Sequence, residues 1–155
     1  MSARRRPAAS QWDAPSWAAP TSLVLCVLGL AVSAYLTYEH YTGSKTLACS
    51  SNGVVNCHAV TTSSYAVVYG VPVALLGLLF FAVMTLLCLP QTWRRGGGLD
   101  GARLGATGIG VLMVLYLLFV ELFRLDRICL WCTAVHVLTI ALFAVVAGAE
   151  AVRRP

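Results

Sequence analysis

Four long apolar runs, almost free of charge until their ends, constrain this chain more than any other feature of its sequence. The runs are Thr21–Tyr38, Val71–Leu89, Leu104–Phe123 and Ile128–Val152. A helix of roughly 20 residues crosses the ~30 Å hydrocarbon core of a bilayer, so each run is long enough to span it. The composition agrees, because 59% of the residues are hydrophobic and only 11% are charged. Such values lie outside the usual range of soluble domains, and the chain is predicted to be an integral membrane protein.

The apolar runs are predicted to be helices. Backbone amides in lipid must be satisfied within their own segment, and the alternating pattern of barrel strands is missing. We therefore predict an all-α fold, a bundle of four transmembrane helices. Its single membrane domain covers residues 21–152, with spans at about 21–38, 71–89, 104–123 and 128–152. A disordered cytoplasmic arm is predicted at 1–20 and a cytoplasmic tail at 153–155.

The basic residues predict how the bundle is oriented. In a four-span bundle the two termini and the second connection lie on one side of the membrane, and this side has most of the basic residues: Arg4, Arg5, Arg6, Arg94, Arg95, Arg103, Arg153 and Arg154. The other side has only Lys45, Arg124 and Arg127. Cytoplasmic loops carry the excess of Lys and Arg, so both termini are predicted to be cytoplasmic in a multi-pass protein of the cell membrane. This topology accounts for the net charge of +5, which therefore gives no indication of nucleic-acid binding.

An alternative for the first run is a cleavable signal peptide ending near Val32–Ala34. The length of the run favours a retained helix, because it is long for the apolar region of a signal. Cleavage would in any case leave every later loop on the same side. The polar loop Glu39–Gly70 is thus predicted to lie outside the cytoplasm.

Two pairs of cysteines fall on this outer side. Cys49 and Cys57 lie on the loop Glu39–Gly70, and Cys129 and Cys132 open the last apolar run as Cys-Leu-Trp-Cys. The unpaired first-turn amides and the helix dipole favour thiolate at such a position, and a spacing of three brings both sulfurs onto one turn. Cys129 and Cys132 are therefore predicted to be a reversible redox pair.

Two other interpretations of these cysteines remain. One is a zinc site, for which the candidate ligands are Cys49, Cys57, His58, Cys129, Cys132 and His136. The other is a structural disulfide between Cys49 and Cys57. An oxidising outer compartment and two thiol pairs favour disulfide exchange, so no metal is predicted. The competing class of function is a non-enzymatic membrane protein with a structural disulfide or a metal site on its outer face.

At these residues the chain resembles the vitamin K epoxide reductase family, and in particular its bacterial disulfide-forming members that lack a fused thioredoxin-like domain. The resemblance covers about Leu23 to Val146. It depends on the loop pair Cys49 and Cys57, the Ser-Ser-Tyr-Ala stretch Ser63–Ala66, the segment Tyr69–Pro72 followed by Leu76-Gly77, and the motif Cys129–Cys132.

The resemblance implies an electron relay and a short helix at the membrane surface between the first two spans. Cys49 would receive electrons from a thioredoxin-like (DsbA-like) partner acting in trans, Cys57 would pass them to Cys129, and Cys132 would face a membrane quinone, either menaquinone or ubiquinone. Membrane lipid is the remaining partner. In the family, the serine that corresponds to Ser63 lies on a short segment at the membrane surface that caps the quinone pocket. The resemblance therefore makes Ser63 and the neighbouring Tyr65 candidates for lining the pocket.

Two further residues are candidates for contact with the quinone. Trp131 lies between the two cysteines of the motif, where it either packs on the ring or anchors the helix at the interface. His136 lies one turn beyond Cys132, where it either bonds a quinone carbonyl or a backbone carbonyl of a neighbouring helix. The animal enzymes resembled here have a tyrosine at the position of His136 and an asparagine at that of Val73. Reduction of vitamin K epoxide itself is therefore not expected.

Overall fold

The computed structural model describes residues 14–43, 48–49, 53–95 and 97–153. Its elements, in chain order, are α1 Ala18–Thr42, α2 Cys57–Thr61, a 3-10 turn Ser64–Ala66, β1 Val67–Val68, β2 Val71–Pro72, α3 Val73–Leu87, α4 Pro90–Arg95, α5 Gly98–Val120, a π-helical turn Glu121–Leu125, and α6 Leu130–Arg153. Strands β1 and β2 form a small antiparallel hairpin, with Val68 opposite Val71. A predominantly helical fold was predicted and is confirmed.

Three of the helices are long and apolar enough to cross a membrane. They are α1, the segment Gly98–Leu125 formed by α5 and the π turn, and Leu130–Val152 of α6. The fourth apolar helix, α3, has 15 residues and rises only about 22 Å. The prediction of four full-length spans is thus not confirmed, because β2 occupies the first two residues of the predicted span and Pro90 starts a separate helix after Leu87.

The ends of α1 differ from the prediction. The helix begins at Ala18, so the last three residues of the predicted arm are helical. Pro20 is tolerated there because the first-turn amides have no partner inside a helix. The helix ends at Thr42, where Gly43 adopts a left-handed conformation (φ 67°) and its N–H bonds the carbonyl of Glu39. Residues 1–13 of the arm, and residues 154–155 of the tail, lie outside the described residues.

The bundle packs with α1 against α3 and α6, and with α5 against α6 and α3. Its core includes Cys26, Phe81, Met84, Cys88 and Leu142, each of which is fully buried. The helix faces turned away from this core carry apolar side chains that are exposed in the isolated chain, including Val24, Leu79, Leu112, Ile140 and Val152. Such faces suit contact with lipid tails.

A close contact between α1 and α3 depends on one glycine. A Cβ atom added at Gly29 would lie 2.2 Å from Cε1 of Phe81. Only a residue without a side chain lets the Phe81 ring sit against the backbone of α1.

The turn between α3 and α5 is more ordered than the sequence suggests. Arg103, one of the basic residues used to predict orientation, is fully buried, and its guanidinium lies 3.7 Å from the centre of the Trp93 ring. It also forms an ion pair with Asp100. A guanidinium stacked on an aromatic ring and paired with a carboxylate is well suited to burial, so this arginine fixes α4 against the start of α5.

Candidate active site

The loop between α1 and α2 is tied to the chain segment that precedes α6. Val55 forms a parallel bridge with Ile128. The N–H of Ile128 donates to the carbonyl of Val54 at 2.9 Å, and the N–H of Asn56 donates to the carbonyl of Ile128 at 3.1 Å. Because Asn56 precedes Cys57 and Ile128 precedes Cys129, this pairing brings the two cysteine pairs together.

Asn56 also starts the short helix that carries Cys57. Its Oδ1 accepts a hydrogen bond from the N–H of Ala59 at 3.0 Å, which is the usual way that asparagine caps a helix. The cap fixes Cys57 on the first residue of α2, where it is 1% exposed. The family resemblance implies a short helix between the first two spans, and the structure has a short helix there.

All four predicted cysteines meet at one end of the bundle. Cys57 and Cys129 form a buried cluster with Val60, and Cys49 and Cys132 pack against it. Cys49 and Cys57 are joined by a disulfide with 6.0 Å between their Cα atoms. Cys129 and Cys132 are free thiols. The structure thus places a disulfide in contact with a dithiol, which is the arrangement that thiol–disulfide exchange requires.

The sequence predicts a lowered thiol pKa for the motif at the start of the helix, and in the structure Cys129 has one. The thiol of Cys132 donates a hydrogen bond to its sulfur, and this lowers the pKa of Cys129 below its ordinary value, although burial opposes the shift. The backbone N–H of Cys132 also points at this sulfur, at 3.2 Å. Both donors stabilise the thiolate, so Cys129 is prepared to act as a nucleophile or as a leaving group.

The zinc alternative gains no support from the geometry. In the described residues no three His, Cys, Asp or Glu side chains are grouped so that they could hold a metal ion. Two of the candidate ligands, Cys49 and Cys57, are bonded to each other.

A cavity of about 320 Å³ lies just inside the bundle from the cysteines. Helices α1, α3, α5 and α6 form its walls, and residues of α2 and the 3-10 turn close one end of it. Its lining is mostly apolar, with side chains such as Leu36, Phe80 and Met113. Of the four cysteines it is Cys132 that lines the cavity in the described part of the chain. The volume falls in the range of small-molecule sites, ~300–1,000 Å³.

Three of the four predicted quinone contacts line this cavity. They are Ser63, Tyr65 and His136. Ser63 also donates its hydroxyl to the carbonyl of Val60 at 2.8 Å, so part of its hydrogen-bonding capacity is used to hold the segment that closes the cavity.

Trp131 is placed differently from the other three candidates. It is not among the described residues that line the cavity. Its indole N–H donates to the carbonyl of Ala48 at 3.1 Å, and its ring lies 5.0 Å from that of Tyr35. The Tyr35 hydroxyl in turn accepts the N–H of Ala48 at 3.3 Å. Trp131 therefore holds the residue before Cys49 instead of facing the cavity.

Ser33 and Glu121 are two of the cavity residues that were not predicted from the sequence. Ser33 lines the cavity from α1, and Glu121 lines it from the π turn. A signal for Glu121 was present, because it is the sole carboxylate of the third apolar run and an ionisable residue in a membrane helix is a functional candidate by default. Ser33 gave no such signal, since small hydroxyl residues are common in membrane helices.

Two polar atoms at the cavity have no hydrogen-bond partner among the described residues. They are Oγ of Ser33 and Nδ1 of His136, and both are buried. Buried polar atoms in proteins are nearly always paired. An apolar cavity with two unpaired polar atoms fits a flat, largely apolar ligand that carries polar ring oxygens, and a quinone has this chemistry.

The fold and the site define a class of protein. It is a helical membrane protein in which a disulfide contacts a dithiol, and one thiol of that pair opens on an apolar cavity. The model of the vitamin K epoxide reductase family matches residues 20–147, most of the chain. The chain belongs to this family, as the sequence motifs predicted. Members of the family are oxidoreductases and generally use quinones.

Proposed function

We propose that the chain is a membrane thiol:quinone oxidoreductase. It reoxidises a thioredoxin-like, disulfide-forming partner outside the cytoplasm and passes the electrons through its cysteines to a membrane quinone, menaquinone or ubiquinone. The supporting observation is the order in which the cysteines lie between the surface of the protein and the cavity. Cys49 is partly exposed, Cys57 and Cys129 are buried in one cluster, and Cys132 lines the cavity.

This function requires the cysteines to face the extracytoplasmic side. The arginine-rich ends support that orientation, with both termini in the cytoplasm. We infer that α3 is the fourth span, with the hairpin before it and Cys88–Leu89 after it completing the crossing. Labelling of Cys49 in intact cells by a membrane-impermeant maleimide, after mild reduction, tests the orientation; protection of Cys49 until the cells are lysed would contradict it.

The first exchange takes place at Cys49. A thiolate of the reduced partner attacks Sγ of Cys49, the Cys49–Cys57 bond breaks, and Cys57 leaves as a thiolate. The second thiol of the partner then attacks the mixed disulfide, so the partner leaves oxidised and both loop cysteines are reduced. Partial exposure supports Cys49 as the point of attack, since Cys57 is 1% exposed.

The second exchange transfers the electron pair between the two cysteine pairs. With Cys129 and Cys132 joined as a disulfide, the thiolate of Cys57 attacks Sγ of Cys129 and Cys132 leaves. Cys49 then attacks Cys57 and restores the loop disulfide. The resulting state has an oxidised loop pair and a reduced helix pair, and it is the state that the structure shows.

The last transfer takes place at the cavity. A quinone bound there supplies an acceptor for two electrons and two protons. Cys132 lines the cavity and delivers the electrons as its bond to Cys129 forms. Ser33 and His136 are the residues whose unpaired atoms would hold the ring oxygens, while Ser63 and Tyr65 cover the outer end of the site.

The test is anaerobic reduction of a short-chain quinone by the purified protein in detergent, with a reduced thioredoxin-like protein as the donor. We expect the Cys132→Ala variant to lose turnover altogether, because the Cys129–Cys132 bond can no longer form, while it accumulates mixed disulfides. The matched control is Cys88→Ala, which removes a fully buried thiol of the core away from the cavity.

Loss of turnover in the first variant but not in the second supports the relay. If the intact, folded protein reduces none of several quinones while its loop disulfide can be reduced, the function is a structural disulfide instead. Equal losses in both variants would point to a general effect of removing a cysteine.

A further inference from the structure

Glu121 is a buried carboxyl group at the boundary between the cavity and the thiol pair. It is 4% exposed, and it lines the same cavity as Cys132. It interacts with the backbone N–H of Cys129 and lies within electrostatic range of the Cys129 and Cys132 thiols. The relay described above uses no carboxyl group, so this side chain has no role in it.

The backbone around Glu121 has an unusual geometry. α5 ends and a π-helical turn, Glu121–Leu125, takes over. The Glu121 carbonyl accepts the N–H of Asp126 and, at 3.2 Å, that of Arg127. A π turn inserts an extra residue and changes which side chains face inward, and such turns occur frequently at functional sites. Here the turn sets the carboxyl beside the start of α6.

Burying a carboxyl group at this position costs free energy, so its presence here is evidence of a function. Ionisable residues within membrane helices are rare and usually face an interior where they pair or transfer protons. Other titratable groups around the cavity are Cys129, Cys132 and His136 from the α6 side, His40 from α1 and Tyr65 from the 3-10 turn, while α3 contributes no titratable residue to the described lining. Among the described residues lining the cavity, Glu121 is the one carboxyl group.

We propose that Glu121 is the proton carrier between the thiol pair and the acceptor in the cavity. This inference depends on the proposed quinone reduction and adds to it a catalytic residue that the cysteine motif does not predict. Oxidation of the dithiol forms the Cys129–Cys132 bond and releases two electrons and two protons. Reduction of a quinone to the quinol consumes the same number of each.

Glu121 moves these protons one at a time. Its carboxylate accepts a proton as a thiol S–H bond breaks, and its carboxyl O–H then donates that proton to a ring oxygen. The second proton follows the same route, so Glu121 ends each cycle as a carboxylate. A carrier of this kind is needed because the cavity is apolar and the thiols are largely buried, which leaves few water molecules to carry the protons.

The test separates the two half-reactions for Glu121→Gln and for a matched control, Glu150→Gln. Glu150 is also a buried carboxyl group, but it lies near the other end of α6. We expect Glu121→Gln to react with the reduced partner at the rate of the intact protein. Its reduced form should then transfer electrons to quinone about 10²-fold more slowly, the lower end of what a positioned proton-transfer group contributes. Glu150→Gln should match the intact protein in both steps.

A second measurement needs no quinone. The Glu121 charge raises the pKa of the nearby Cys129 thiol, so Glu121→Gln should shift the pH profile of Cys129 alkylation to lower pH, while Glu150→Gln should not. Glu121→Asp should restore part of the quinone half-reaction, because it keeps the carboxyl group at a shorter reach. A purely structural role for Glu121 would show none of this selectivity.

The outcomes distinguish failure of the inference from failure of the function. If the intact protein reduces quinone and Glu121→Gln does so at the same rate, or if both half-reactions slow equally, Glu121 is not the proton carrier although the relay stands. If the intact protein reduces no quinone, the proposed function fails, and the proton route fails with it.

Discussion

Trp131 and Tyr35 hold the backbone of Ala48 from both sides, and removing either contact should release the loop that carries Cys49. Trp131→Phe keeps an aromatic ring against Tyr35 but removes the indole N–H that donates to Ala48 at 3.1 Å. Tyr35→Phe removes the hydroxyl that accepts the Ala48 N–H at 3.3 Å. Neither change should disturb the buried core, since both hydrogen bonds are at least partly exposed.

The expected magnitude follows from these two hydrogen bonds. A neutral hydrogen bond contributes a net of about 0.5–1.5 kcal/mol, and partly solvated ones belong at the lower end. A loss of about 0.5–1 kcal/mol from the held state raises the population of the released loop about 2- to 5-fold. Because both bonds act on the same residue and the two rings are in contact, the two changes are coupled, and the shift of the double variant should differ from the sum of the two free energies.

The assay is reduction of the Cys49–Cys57 disulfide by a small dithiol in excess, with the freed thiols trapped by a maleimide and counted by mass. If reduction proceeds from the released loop, Trp131→Phe and Tyr35→Phe should each react about 2- to 5-fold faster than the intact protein. Trp17→Phe is the control, because Trp17 lies at the start of α1, away from the cysteines. An unchanged rate in Trp131→Phe, or an equal increase in Trp17→Phe, would refute the reasoning.

Two further predictions concern helix packing and thiol acidity. Gly29→Ala should destabilise the bundle by about 1–3 kcal/mol, the usual cost of overpacking, because its Cβ would meet the Phe81 ring at 2.2 Å. Thermal unfolding in detergent measures this loss. Gly105→Ala is the control and should show no such loss, because a Cβ at Gly105 meets nothing within 4 Å. Cys132→Ala should raise the pKa of Cys129 by removing the hydrogen bond that lowers it. Since a thiolate with a lowered pKa persists to lower pH, the variant's Cys129 alkylation profile should move to higher pH, and a profile that stays in place would contradict the assigned cause.

Much of the fold was accessible from local patterns. The apolar runs predicted membrane helices, and three of them are long enough to span. The shortness of α3 was not predicted, because hydropathy does not register that Val71–Pro72 pair with Val67–Val68 in a hairpin. The start of α1 at Ala18 was not predicted either, because the sequence predicts an arm that ends at Pro20, although proline is tolerated in a first helical turn.

The candidate site was predicted in part. Four cysteines and a family motif identified the thiol chemistry, and Ser63, Tyr65 and His136 line the cavity as expected. Trp131 had two interpretations from the sequence, and neither included its bond to Ala48. Glu121 was not predicted, although it is the sole carboxylate of its apolar run, because its place beside the thiols is visible only with the cavity.

The sequence by itself determined that the chain is a helical membrane protein of the vitamin K epoxide reductase family with two cysteine pairs, because hydropathy and motif spacing are properties of short segments. Tertiary structure alone decided which thiol opens on the cavity, which polar atoms are left unpaired beside it, and what Trp131 holds. These depend on contacts between residues far apart in the chain, such as the 83 positions between Ala48 and Trp131. The packing of the helices and a single π turn decide which side chains meet, and no local sequence pattern encodes either.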